Sequence, residues 1–201
     1  MPQYKVYQYL DCPREVFHFR YKIYVEELHR RQTYAHHETQ TIEDPMDPTG
    51  HQCLAQESDG SVVGAVRLNL VREGGVESYS KFYELDRLAK HERLSASICT
   101  RYMVTKEYRR SRVPLELLKR IYRFGIENGA TSCYMDTNAP FLNMYLKYGY
   151  EPLFEKEHPD YGPVTVMRLP VLDLEHLKST RSPFAPICER FLTEQSETAI
   201  A

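Results

Sequence analysis

The stretch Cys99–Leu118, CTRYMVTKEYRRSRVPLELL, constrains the fold more than any other. It reads as a β-strand, a short basic turn and the start of a helix. That order sets a helix N-terminus beside a strand end, where backbone N–H groups and the helix dipole can hold an anion. The turn carries Arg109, Arg110 and Arg112. From Arg101 to Arg123 eight Lys or Arg residues face only Glu107 and Glu116, so the segment is +6 in a chain of net charge −2. Charge runs are most often solvated helix faces. Here the same run also suits a phosphate-bearing donor or an acidic carrier.

The rest of the chain supplies an α/β frame for that unit. Residues 3–9 suit a short strand. Pro13 opens a helix over about 14–30, with Val16, Phe19 and Ile23 at a 3.6 period. Residues 31–50 are polar, carry two prolines and read as a long loop. His51–Gln56 and Val62–Leu70 flank Ser58-Asp59-Gly60 and predict a hairpin. A helical stretch over 79–92 precedes the strand Ser97–Thr105. Ser111 suits a cap and Pro114 a first turn of the next helix, whose face is Leu115, Leu118, Tyr122 and Gly125. Asn128-Gly129 ends that helix. A strand over Thr131–Thr137, a short helix over Pro140–Tyr148 stopped by Gly149, and the pair Tyr150–Glu155 and Pro163–Leu169 follow. This is an α/β layout around a mixed sheet. The expected division is 1–170 as one domain and 171–201 as a helical extension with a frayed SETAIA tail.

Composition narrows the class. No apolar run is long enough to cross a bilayer, and MPQYKVYQYL lacks the pattern of a signal peptide, so the cytoplasm is the expected location. Five cysteines without CxxC spacing read as free thiols rather than a zinc site. A net charge of −2 argues against a general nucleic-acid binder. His36, His37 and Glu38 sit in a polar loop and read as solvated side chains, so no metal is expected. Cys99 reads as a buried thiol, since no His stands at a telling position.

Two stretches resemble the GNAT superfamily of N-acyltransferases. One is YMVTKEYRRSRVPLELL, similar to that family's strand, Arg-rich turn and helix. The other is NAPFLNMYLKYGY, in which Asn138, Tyr145, Gly149 and Tyr150 match an Asn, a Tyr seven residues later, and Gly-aromatic. A narrower resemblance runs through FRYKIYVEEL, EDPMD, GAVRLNL and TRYMV. It is to the acyl-homoserine-lactone synthases and the long-chain N-acyl amino acid synthases, and its matching positions are Arg20, Tyr24, Asp44, Asp47, Arg67 and Arg101. The chain departs from those relatives at Ile98, where they carry a Glu. It also departs at Arg112 and Pro114, where the superfamily turn has glycines.

The resemblance implies a GNAT fold and transfer of a fatty acyl group from a thioester, on acyl carrier protein or CoA, to a primary amine. The amine would belong to an amino acid, a related metabolite or a peptide. No tightly bound cofactor is implied. Donor-binding residues would be Met103, Val104, Arg109, Arg110, Ser111, Arg112, Val113 and Asn138, with backbone N–H groups at Met103 and Val104 holding the oxyanion. Tyr145 would protonate the leaving thiol; the plainer role for it is a buried helix aromatic. Acceptor-binding residues would be Arg20, Tyr24, Asp44, Asp47, Arg67 and Arg101. Glu43, in the acidic cluster with Asp44 and Asp47, is the candidate base, although EDPMDP is equally good turn sequence. Arg67 and Arg101 sit on predicted strands, where an unpaired charge is costly, so pairing with Asp44 and Asp47 is slightly favoured over gripping a substrate carboxylate. The rival functions are an acetyl-CoA-dependent acetyltransferase, a non-catalytic GNAT-fold binding module and, lowest, lactone synthesis.

Overall fold

The structure is a computed structural model that describes the backbone of residues 1–200 and the side chains of 1–198. Its strands are β1 (Gln3–Tyr7), β2 (Ala35–His36), β3 (Thr41–Ile42), β4 (Gly50–Gln56), β5 (Val62–Leu70), β6 (Ala96–Val104), β7 (Ser132–Thr137), β8 (Glu151–His158) and β9 (Gly162–Leu169). Its helices are α1 (Glu15–Tyr21), α2 (Glu77–Phe82), α3 (Lys90–Leu94), α4 (Val113–Glu127), α5 (Ala139–Lys147), α6 (Leu174–Ser179) and α7 (Ala185–Ile200). Seven strands form one sheet in the order β1-β4-β5-β6-β7-β9-β8. All neighbours are antiparallel except β6 and β7, which run parallel.

Both faces of the sheet are covered. This explains why β4 and β5 are buried almost throughout instead of alternating. On one face α4 lays Val113, Leu117, Leu118, Ile121 and Tyr122 onto β5 and β6, and Leu177 of α6, Phe184 just before α7 and Cys188 of α7 join the same core. On the other face Val16, Phe17 and Phe19 of α1 pack on Leu54, Ala65 and Met103. Tyr83 and Leu85 cover Ile98 and Tyr134. The free energy of these layers comes mainly from apolar burial, at about 25 cal/mol per Å².

Several elements differ from expectation. The helix foreseen over 14–30 is α1 followed by a wider turn over Lys22–Glu27, where the N–H of Leu28 reaches back five residues to the carbonyl of Ile23. The loop 31–50 contains the β2–β3 ribbon. The stretch 79–92 is broken because Glu84 adopts a left-handed conformation, φ 58°, which ends α2 before a single turn over Leu85–Arg87 and then α3. Leu115 is only half-buried; the core face of α4 runs through Leu117 and Ile121 instead. Ser111 lies one residue outside the cap position, yet its Oγ accepts the N–H of Val113 at 3.1 Å. Helix α7 runs through Ile200 where a frayed end was expected, and Ala201 lies outside the described residues.

The glycine stops behave as the sequence predicts. Gly129 and Gly149 have φ of +73° and +94°, and the N–H groups of Ala130 and Tyr150 reach back to the carbonyls of Gly125 and Tyr145.

Candidate active site

The parallel pairing of β6 with β7 is short. It covers Ala96–Ile98 against Ser132–Tyr134 and then stops. Beyond it the strands part, and a cleft of about 420 Å³ opens between Cys99–Val104 and Met135–Thr137. The strand edges facing this cleft carry peptide groups with no strand partner.

Strand alternation decides which groups those are. The N–H of Thr105 bonds to the carbonyl of Val63 on β5 at 2.9 Å. By the alternation of an antiparallel pair, Met103 also faces β5 and Val104 faces the cleft. Arg109 Nε donates to the Val104 carbonyl at 2.9 Å, which fits that orientation. Of the two amides expected to hold the oxyanion, that of Val104 faces the cleft and that of Met103 faces β5, although both residues line the cleft.

Tyr145, on α5, lines the cleft. It is almost fully buried, yet its hydroxyl makes no hydrogen bond to any described residue. Burial, with Tyr102 and Cys99 nearby, raises its pKa well above the ordinary tyrosine value. The group stays protonated at any working pH and can donate a hydrogen bond.

The basic turn is smaller than its count suggests. Arg101 is buried, and Arg109 pairs with Glu27. Arg110 and Arg112 are exposed, with no ion pair among the described residues. They stand at the N-terminus of α4, where the helix dipole favours an anion. Ser111 and Val113 bond to each other, so the Val113 amide is already committed. Asn138 is committed as well. Its Nδ2 donates to the carbonyls of Tyr161 and Pro163, both at 3.0 Å. It pins the β8–β9 turn to the end of β7, so its amide protons are not free to hold a donor.

Behind the cleft lies a buried charge cluster. Arg20 grips Asp47 through two bonds of 2.7 Å. Arg67 Nη1 donates to Asp44 at 2.7 Å and to Asp47 at 2.8 Å. Arg101 Nη2 donates to Asp44 at 2.6 Å, and its Nη1 donates to Gln32 at 2.9 Å and to the Tyr161 hydroxyl at 3.2 Å. Burial alone would raise both carboxyls. The guanidiniums of Arg67, Arg101 and Arg20 overcome this and hold Asp44 and Asp47 below the usual carboxylate range. Arg20 and Arg67 are fully buried, and neither lines the cleft. Of this cluster only Arg101 reaches it. A bulge in the β5–β6 register, with Arg101 at φ 55°, turns its side chain to the Asp44 side of the sheet. Tyr24 also lines the cleft, 5.5 Å from the Arg101 guanidinium carbon.

Glu43 is not in the cleft. Its carboxylate binds Arg14 and the Tyr9 hydroxyl, none of which lines the cleft, and these bonds hold its pKa down against the effect of burial. A carboxylate committed to an arginine away from the cleft cannot serve as its base. His36 and His37 turn to different partners, Thr39 and Tyr21.

The cleft also holds residues that sequence reasoning passed over: Arg30, Tyr79, Asp136 and Tyr161. Asp136 had one visible signal, a carboxylate in the middle of the otherwise strand-like run CYMDT.

A seven-stranded mixed sheet whose central parallel pair parts around a cleft is the GNAT-type acyltransferase fold, and comparison with known proteins agrees. Residues 15–170 match the family profile of the N-acyl amino acid synthase FeeM, and the chain belongs to that family. The CoA-dependent acyl-homoserine lactone synthase BjaI superposes with a TM-score of 0.70 at 16% identity, covering 91% of both chains. The CoA-dependent acyl-homoserine lactone synthase MesI superposes at 0.64 with 18% identity, covering 89% of this chain and 93% of that one. An acyl-CoA N-acyltransferase from Pseudomonas aeruginosa gives 0.61 at 16% identity, covering 83% of this chain and 99% of that one. No curated protein sequence matches. The chain is an acyltransferase that moves an acyl group from a thioester to an amine. None of its described helices is long and apolar enough to cross a membrane.

Proposed function

We propose that the chain joins a fatty acyl group, carried as a thioester on acyl carrier protein or CoA, to the free amine of an amino acid or a close relative of one. The observation that supports this most is the cleft between the parted strands, with the Val104 amide on one wall and the free Tyr145 hydroxyl on the other. The thioester carbonyl lies against the Val104 N–H, which stabilises the oxyanion as the amine attacks. Collapse of that intermediate breaks the C–S bond, and Tyr145 donates to the departing sulfur. Ile23, Leu28, Leu118, Met135, Phe141 and Met144 give the cleft an apolar lining that suits an alkyl chain better than an acetyl group.

The basic turn supports a carrier-bound donor. Arg110 and Arg112 are exposed beside the cleft mouth and would meet both a single phosphate and an acidic carrier surface. Arg101 orients the acceptor indirectly, through Tyr161 and Tyr24, while Arg20, Arg67, Asp44 and Asp47 hold it in place. No tightly bound cofactor is required by this scheme. Residues 1–170 form the acyltransferase domain, and the helices that follow extend it and close its core through Leu177, Phe184 and Cys188.

Free-thiol release tests the reading. Acetyl-CoA, long-chain acyl-CoA and acyl carrier protein thioesters are each offered with a pool of amines. Release with long acyl thioesters, dependent on amino acids, is the expected result. Release with acetyl-CoA alone would move the chain to the ordinary acetyltransferases.

A further inference from the structure

The acceptor reaches the enzyme at neutral pH as an ammonium, with a pKa of about 10. An ammonium cannot attack a carbonyl, so a base at the cleft is needed. Asp136 is the one carboxylate among the residues lining it. It lies on β7 in the stretch that diverges from β6, and it pairs on the other side with Val166 of β9. No Lys, Arg or His forms an ion pair with it among the described residues, in contrast to Asp44 and Asp47. Its Oδ1 accepts a 2.6 Å hydrogen bond from Tyr83, which fixes the carboxyl in place.

We propose that Asp136 is the general base of the acyl transfer, taking a proton from the acceptor's ammonium within the cleft. The inference rests on the cleft being the acyl-transfer site. The ammonium gives one proton to Asp136 and becomes the attacking amine. Attack forms the C–N bond and collapse breaks the C–S bond. The nitrogen loses its second proton as the sulfur gains one, so the products are an amide and a thiol. Asp136 returns its proton to solvent before the next turnover.

The surroundings suit that role. Burial raises the Asp136 carboxyl above the ordinary value, while the Tyr83 hydrogen bond, His158 and Arg101 pull it part of the way back. Tyr79 faces the same carboxylate, with its own pKa raised by burial. His158 is itself pushed down by its burial, against the pull of Asp136 and Asp160. Raising a carboxyl toward neutrality brings it nearer the pH at which a base works best.

Asp136→Asn is measured with two acceptors: an amino acid, and hydroxylamine, which is already neutral at the assay pH. With the amino acid, kcat should fall by about 10²–10⁴-fold and the acid limb of the kcat/KM profile should disappear. With hydroxylamine the defect should be at least about tenfold smaller, since no ammonium has to be deprotonated. Tyr83→Phe removes a bond that favours the charged carboxylate, so it should move the acid limb to higher pH. An equal loss with both acceptors, or an intact acid limb in Asp136→Asn, would overturn the assignment. Should Asp136→Asn not fold, an unmoved acid limb in Tyr83→Phe would overturn it. A wild-type enzyme that released thiol without any amine would instead remove the acyl-transfer reading itself.

Discussion

Tyr145 and Asp44 illustrate how the same low-dielectric interior drives two groups in opposite directions. Tyr145 has no cation beside it, so burial keeps its proton on. Asp44 is buried too, but Arg67 and Arg101 hold it ionised. For Tyr145 the expected consequence is catalytic. Tyr145→Phe should lower kcat by about 10²-fold or more while leaving donor affinity within about twofold, measured by steady-state kinetics and donor titration. For the cluster it is stability. Arg67 touches both aspartates, so Arg67→Ala leaves buried charge uncompensated and should cost about 3–5 kcal/mol in urea denaturation. The pH dependence follows from the direction of the shifts. Asp44 and Asp47 titrate lower when folded than the unfolded value of about 4. Their contribution is complete above that value and is lost as pH falls through the folded values. Denaturation from pH 7 to pH 2 should therefore show a loss that begins near pH 4 and is blunted in Arg67→Ala. At this scale the sequence was half legible. The side chains of the cluster were visible because charges on predicted strands demand partners. Asp136 and the true direction of Glu43 were not, since both depend on contacts with Tyr83 and Arg14 that no local pattern encodes.

Among elements, β6, its turn and α4 carry the most information, and they were the most legible. A strand, a basic turn and an amphipathic helix follow from periods of 2 and 3.6 in contiguous residues. The parting of β6 from β7 was not legible, because register between strands 35 residues apart is set by packing on both sheet faces. Two tests belong here. Reversing charge in Arg110→Glu with Arg112→Glu should weaken a carrier-protein donor more than a free acyl-pantetheine thioester, and the difference should grow at low salt. Loss of both donors to the same degree would count against a carrier interface. Gly149 ends α5 at φ +94°, and a Cβ there would come within 3.0 Å of Leu177. Gly149→Ala should cost about 1–2 kcal/mol in thermal or chemical melts. Because α5 carries Tyr145, it should also lower turnover.

Over the whole molecule, the sheet divides the work between its faces. One face stacks α4, α6 and α7 into a single apolar core that includes Leu177 and Phe184. The other holds three arginines against two aspartates, and Arg101 brings that excess positive charge to the cleft. Between them the strands part, and the cleft combines an apolar lining, the Val104 peptide, tyrosine hydroxyls that include Tyr145, and the Asp136 carboxylate. That combination supports the proposed long-chain N-acylation, and a competition experiment tests the proposal most directly. Acetyl-CoA and a long-chain acyl thioester are supplied at equal concentration with one amino acid, and the amide products are weighed by mass spectrometry. The account predicts long-chain N-acyl amino acid in large excess over N-acetyl amino acid, and little of either from Tyr145→Phe. A product mixture dominated by the acetylated amine would contradict it.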